Sequence, residues 1–212
     1  MVTVDSPETA EKVRDLLIPF LAERGLELSQ EKTLITHIDE GFDFLGWNFQ
    51  KHKNQKRKIL IIRPSDKSLE SIKESIREVV LVRGKAKSQD EIIQELNPKV
   101  RGWCNYNRSV MSTRTFAYLD TYLFHILFVW AMRRHSDKGK KWIANKYWHQ
   151  KGNRKWVYCT EENTLFRPTD VKKKRHVKVR NSMNPYTDTE YFQERQKSRK
   201  YERGYRDKSF AL

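Results

Sequence analysis

At 212 residues, 37% hydrophobic and 12% aromatic, the chain is too apolar for wholesale disorder and long enough for one or two domains with a buried core. Its 43 Lys+Arg against 27 Asp+Glu give a net charge of +16, a field that points to polyanionic partners. No secretory signal, bilayer-spanning apolar run or CxxC pair is read from it, and Cys104 and Cys159 stand far apart, which argues for idle thiols rather than a disulfide scaffold or zinc ribbon.

In chain order, Val2 to Val4 reads as the stump of a strand. Ser6 then offers an N-cap with Pro7 in the first helical position. Val13, Leu16, Leu17, Phe20 and Leu21 follow at helical spacing, Pro19 is expected to kink or shorten the helix, and Gly25 stops it. "TLITHI" (33–38), "FDFLGWNF" (42–49) and "KILIIRP" (58–64) read as strands of a small antiparallel meander, with Asp39-Glu40-Gly41 as a turn. After Pro64 the period becomes helical, with Leu69, Ile72, Ile76 and Val79/Val80 on one stripe. Ser88 and Glu91 form a capping box before Ile92, Ile93 and Leu96. Asn97-Pro98 is expected to restart a helix, and Ser112 or Thr113 to open the longest one, with Phe116, Leu119, Tyr122, Leu123, Ile126, Leu127 and Trp130 on one face. "KKWIANKYW" reads as a last short helix ending near Gly152. The pattern weakens from 153, where "KWVYC", "TLFRP" and "VKKKRHVKV" suggest short strands before a charged tail.

Charge is distributed unevenly. Residues 1–45 hold 4 basic and 10 acidic groups, whereas 46–150 hold 22 and 9, and 151–212 hold 17 and 8. The sign flips at "GFDFLGWNF" (41–49), which is followed by "KHKNQKRK" (51–58). Gly46 admits close backbone approach and Trp47 offers a flat ring for a ribose or base. Lys51, Lys53, Lys56, Arg57 and Lys58 are suited to phosphates. The alternative is an ordinary hairpin with a core tryptophan and a solvated lysine turn. "NPKVRGWCNYNR" mixes Lys99, Arg101 and Arg108 with Asn105, Asn107 and Tyr106, a set suited to RNA sugars and base edges. The three cations cannot share one narrow helix face, and Trp103 reads as packing inward. "MRRHSDKGKK" (132–141), which includes Arg133 and Arg134, and "VKKKRHVKVR" (171–180) are further basic runs. Such runs are usually solvated surface, but their coincidence favours nucleic-acid binding.

Catalytic signals are missing. There is no Gly-rich phosphate loop, HExxH, GxSxG or ligand-spaced His/Cys cluster, and Asp39 and Asp43 read as turn chemistry. No metal site is expected.

"FLAERGLELSQEKTLITHIDEGFDFLGWNF" together with "NPKVRGWCNYNRS…FAYLDTYLFHILFVWAMRRH…KKWIANKYW" resembles the group II intron-encoded reverse transcriptases, or maturases. The resemblance implies an α+β, mainly α fold. A small antiparallel palm remnant (1–64) would precede a three- to four-helix thumb or maturase-specific X domain (65–152) and a basic, weakly structured segment (153–212). It implies that Leu45, Gly46 and Trp47 form a primer-grip-like corner. The RNA contacts would be Lys51, Lys53, Lys56, Arg57, Lys58, Lys99, Arg101, Asn105, Arg108, Arg133 and Arg134, and the DNA contacts Lys172, Lys173, Lys174 and Arg175. The Tyr-Ala-Asp-Asp hairpin of the family's polymerase is not found in this sequence, and "MVTVDSPETAEKV" resembles the strand leaving it. The catalytic aspartates, fingers and nuclease module are therefore expected to be lacking, with Asp5 unable to stand in. The chain is expected to have no cofactor of its own, magnesium belonging to the palm and to the intron RNA. The implied partners are group II intron RNA and target DNA, with a separate fingers–palm polypeptide or a second copy as further options and no membrane. A bacterial cytoplasmic, nucleoid-associated or organellar location goes with these. Alternative readings are a subunit of a split RNA-directed DNA polymerase and a nonspecific basic RNA- and DNA-binding protein.

Overall fold

A computed structural model describes residues 1–31, 33–54, 57–174, 179–180 and 182–196. It has the α+β, mainly α character expected, with five α-helices and two small antiparallel sheets within Met1–Lys174 and a further helical stretch at 189–196. The chain forms two compact units, Met1–Lys174 and Arg175–Leu212.

Helix α1 (Pro7–Ala22) starts as its sequence dictates: the Ser6 side chain accepts a bond from Thr9 N at 3.2 Å, with Pro7 behind it. It ends at Gly25, whose φ of +69° lets Leu26 N reach back to Leu21 O at 3.0 Å. Pro19 does not interrupt it, because the carbonyl that loses its partner is that of Asp15, an exposed residue. No residue of α1 is buried, and Leu16 is 71% exposed. Two expected strands do not form. Val2–Val4 and 33–37 are irregular, and the second is cut short where Glu40 N and Gly41 N both turn back onto His37 O. Only Ile38 reaches the sheet, its carbonyl accepting from Lys51 N at 2.9 Å.

The meander is β1 (Phe42–Phe44), β2 (Trp47–Asn54) and β3 (Arg57–Pro64), antiparallel in that order. The stretch expected as one strand over 42–49 is folded in two at Leu45 and Gly46. Their φ angles of +49° and +78° make the primed turn that matches strand twist.

The bundle follows. Ser65 caps α2 (Asp66–Arg77), which widens into one π-helical turn at Glu78–Val82. The Ser88–Glu91 capping box opens α3 (Gln89–Asn107) as expected. Pro98 does not restart a helix; α3 runs through it. Gln94 and Pro98 both face solvent, so the freed Gln94 carbonyl stays hydrated, while Leu96 and Val100 are fully buried and hold the helix to the core. Helix α4 (Thr113–Arg134) contributes Phe116, Leu119, Leu123, Ile126, Leu127 and Trp130 to that core, and α5 (Lys140–Tyr147) adds Ile143. By length and composition α4 could cross a membrane, with a mean hydropathy of 1.2 over its most apolar window, so the expectation that no run is long enough does not hold. Here its apolar face is the centre of the bundle.

After α5 the chain is a strand, not more helix. β4 (Trp148–Lys151) pairs with β5 (Arg154–Tyr158), and Cys159 bridges to Thr164. Residues 160–171 then lie across α3 and α4 and are tied at three places. Asp90 accepts from Thr160 and from Asn163 Nδ2 (3.0 Å). Asn97 donates to Thr164 O (2.9 Å) and accepts from Phe166 N (2.7 Å). Asp120 Oδ2 accepts from Arg167 Nη2 (3.0 Å) and Thr169 Oγ1 (2.7 Å). Asn97 thus serves this strap instead of capping a helix. Both cysteines are buried thiols, and burial pushes the Cys104 pKa up to about 12, which removes its reactivity.

In the second unit, Asn184 N donates to Asp188 Oδ2 at 2.6 Å ahead of helical residues 189–196, and the Arg180 guanidinium lies over the Tyr191 ring.

Candidate nucleic-acid interface

The aromatic corner is built by three elements. Trp47 lies on Tyr106 of α3 with ring centroids 5.0 Å apart, and its Nε1 donates to Asn107 Oδ1 at 3.0 Å. Asn107, wholly buried, donates in turn to Trp103 O at 3.0 Å. Trp103 Nε1 donates to Ser68 Oγ on α2 (3.0 Å), and the Tyr106 hydroxyl donates to Leu45 O (2.5 Å). Ser65 N donates to Gly46 O at 2.9 Å, joining the hairpin turn to the start of α2. A concavity of about 490 Å³ lies here, between Phe44–Gly46 and Ser65, Lys67, Ser68 and Ser71. Trp47 is therefore half-buried, with one ring face and its N–H committed to the protein. Leu45, exposed at the tip, and Gly46 are the parts of the corner open to a ligand. Tyr106 and Asn107, read as RNA-facing, belong to this lock, and Trp103 packs inward as read.

Strand alternation sorts the cations behind it. The register pairs Trp47 with Pro64, Phe49 with Ile62, Lys51 with Leu60 and Lys53 with Lys58, so Lys51, Lys53 and Lys58 extend the face that begins at Trp47. Arg57 faces the other way, and Lys56 lies outside the described residues. Lys58 Nζ pairs with Asp39, and that hydrogen bond holds the Asp39 carboxyl below its usual value. Two like charges stand opposite each other at Lys53 and Lys58, an arrangement that costs stability unless an anion or carboxylate lies close by.

On α3, Arg101, Asn105 and Arg108 recur at i, i+4 and i+7 and share one stripe, while Lys99 lies round the helix from them. Arg101 and Asn105 are exposed; the Arg101 guanidinium lies 5.2 Å from the Phe166 ring centroid. Lys174 N donates to Arg108 O at 3.1 Å. The strap thereby brings Lys172–Lys174 to the C-terminal end of α3, so residues assigned separately to RNA and to DNA form one basic surface. Arg175 lies outside the described residues.

Arg133 is exposed at the end of α4, whereas Arg134 donates to Lys87 O (2.8 Å) and lies over Trp130. Beside them is a cluster that the site reading passed over. Trp142, 41% exposed, has His135 at 5.0 Å, Lys146 Nζ at 4.9 Å and Lys138 Nζ at 5.9 Å. The "KKW" and "NKYW" spacings held its signal: Trp142 and Lys146 are four apart on one helix. No grouping of three or more His, Cys, Asp or Glu fit to hold a metal occurs among the described residues.

No curated protein matches the chain. Residues 69–148, the stretch from α2 to the first residue of β4, match the family model for the group II intron, maturase-specific domain, and this supports a group II intron maturase.

Proposed function

We propose that the chain binds group II intron RNA and assists its splicing through positioning contacts. The observation that carries this reading is the maturase-specific match over residues 69–148, a stretch that bears Arg101, Arg108 and Arg133. Group II splicing chemistry is the RNA's own, so an assisting protein needs to hold phosphates and unpaired segments in place and neutralise their repulsion. The face of Lys51, Lys53 and Lys58 would track a phosphate backbone, and Leu45 and Gly46 would approach it at the corner. The stripe of Arg101, Asn105 and Arg108, joined by Lys172–Lys174, offers a second surface for intron RNA or target DNA. Arg133 would add a third contact, and a bacterial cytoplasm or an organelle is the setting such a partner requires. Reversing Lys51, Lys53 and Lys58 to glutamate together tests the reading. Affinity for a group II intron RNA should fall at least tenfold, with a shallower salt dependence because fewer counterions are released. Unchanged affinity would remove the strand face from the interface.

A second reading is favoured by α1, whose apolar Leu16, Ile18 and Phe20 lie at the surface with no residue of that helix buried. This suits docking of a separate fingers–palm polypeptide, which would make the chain a subunit of a split RNA-directed DNA polymerase. Co-expression with such a polypeptide should then yield a stable complex that Leu16→Asp with Phe20→Asp disrupts.

A further inference from the structure

The base of the β4–β5 hairpin is set in the bundle. Trp148, Val157 and Tyr158 are buried, and the Trp148 and Tyr158 rings meet edge to face at 5.0 Å. Every residue from His149 to Trp156 is exposed, so the hairpin projects beyond the core. Trp156 is the outlier: it is 60% exposed, and among the described residues no ring, cation or hydrogen-bond acceptor engages its indole. Leaving so large an apolar ring in water is unfavourable, and the other tryptophans of this chain are all packed or bonded more fully.

The surroundings of Trp156 identify what would cover it. The hairpin carries Lys151, Arg154 and Lys155 and no acidic residue of its own. Two of these cations are braced. Arg154 is held by both oxygens of Asp170 at 2.5 and 2.8 Å, and Lys151 Nζ donates to Thr164 Oγ1 at 2.7 Å. The strap thus holds Lys151 and Arg154 in place on the hairpin that carries the indole, Arg154 through the carboxylate of Asp170. Lys151 and Arg154 face each other in register at the Gly152 turn, and Lys155 adjoins Trp156. Two residues of β4 (His149 to Lys151) span three of β5 (Val157 to Arg154), so Lys155 and Trp156 sit at a bulge opposite Gln150, with Arg154 two residues from the ring along the strand. An exposed ring flanked by fixed cations suits a planar base with phosphates on either side. An apolar protein or lipid surface would leave the charges of Lys151 and Lys155 unmatched.

We propose that the β4–β5 hairpin is a contact for single-stranded RNA, in which Trp156 stacks on an unpaired base while Lys155, Lys151 and Arg154 meet the adjoining phosphates. The proposal rests on the RNA-binding reading and adds to it a requirement for an unpaired base. In a duplex both faces of each base are already stacked, so the hairpin would find only phosphates there.

The test compares the full chain with its Trp156→Ala and Trp156→Phe variants, measuring binding to a labelled oligouridine and to an RNA duplex of equal length by fluorescence anisotropy. Trp156→Ala should weaken oligouridine binding by about 5- to 100-fold, the range of one stacked base, while duplex binding changes less than about twofold; Trp156→Phe should keep most of the affinity. Oligouridine binding unaffected by Trp156→Ala, or weakened equally for both RNAs, overturns the hairpin proposal and leaves the RNA-binding reading standing. A wild-type chain that binds neither RNA removes both. As a readout that needs no substitution, a 4-thiouridine oligomer should photo-crosslink to the peptide containing Trp156; crosslinks confined to other peptides count against the proposal.

Discussion

Replacing Asn107 with alanine tests whether the aromatic corner is a structural lock. The Asn107 side chain is wholly buried and bridges Trp47 Nε1 and Trp103 O, both at 3.0 Å. Its removal deletes two hydrogen bonds, each with a net value of roughly 1 kcal/mol, and leaves a part-buried indole N–H and a helix carbonyl to find other partners. The expected loss is about 2–4 kcal/mol. For a unit of this size that corresponds to roughly 5–12 °C in Tm. Trp47→Phe keeps a ring against Tyr106 and deletes only the donor, so the double variant should be about 1 kcal/mol less destabilised than the sum of the singles. Urea titration monitored by circular dichroism measures all four proteins. A single-variant loss below about 0.5 kcal/mol, or strict additivity, would show that the bridge does not join the hairpin to α3 energetically, and the argument built on it would fail.

Other outcomes follow from the same geometry. A Cβ at Gly84 would lie 2.4 Å from Val80 O and 2.7 Å from Val79 O, so Gly84→Ala should cost about 1–3 kcal/mol in a thermal melt, and no change would mean that the π-helical turn yields freely. Asp120→Ala removes the acceptor shared by Arg167 and Thr169. Limited proteolysis should then cut within 160–174 faster than in the wild type while the bundle stays intact; an unchanged rate would show that Asp120 does not hold the strap. Burial first, then Lys146 and Arg134, holds the His135 imidazole below its usual 6.5. The unfolded chain therefore takes up this proton before the folded one, so stability should decline as pH falls below about 6.5. His135→Gln should lessen that decline in paired melts at neutral and mildly acidic pH, and an identical decline in both proteins would contradict the assignment.

What the sequence revealed depended on how local the signal was. Ser6-Pro7, the Ser88–Glu91 box and the apolar stripe of α4 each carry their cause within a few residues, and all appear where read. Pro19 and Pro98 misled because both stand at exposed positions, where the carbonyl freed by each can stay hydrated and the helix carries on through it. The stretch 33–38 has strand composition, but the turn from His37 to Gly41 lets only Ile38 reach the sheet, which composition does not report. At the candidate interface, the cationic runs were legible, but their sorting was not. Strand register separates Lys51, Lys53 and Lys58 from Arg57, and the strap brings Lys174 to Arg108 across 66 positions of sequence. Asn107 and Trp156 look alike as polar or aromatic members of basic segments; only burial shows that one is a bolt and the other an open ring.

The most direct measurement is a filter-binding titration of the chain against a group II intron RNA and a scrambled RNA of equal length, at two salt concentrations. The account predicts a preference for the intron RNA of more than about tenfold, or 1.4 kcal/mol, that persists at the higher salt. Equal binding to both RNAs, falling steeply together as salt rises, would mean that only nonspecific phosphate attraction is present and would contradict it.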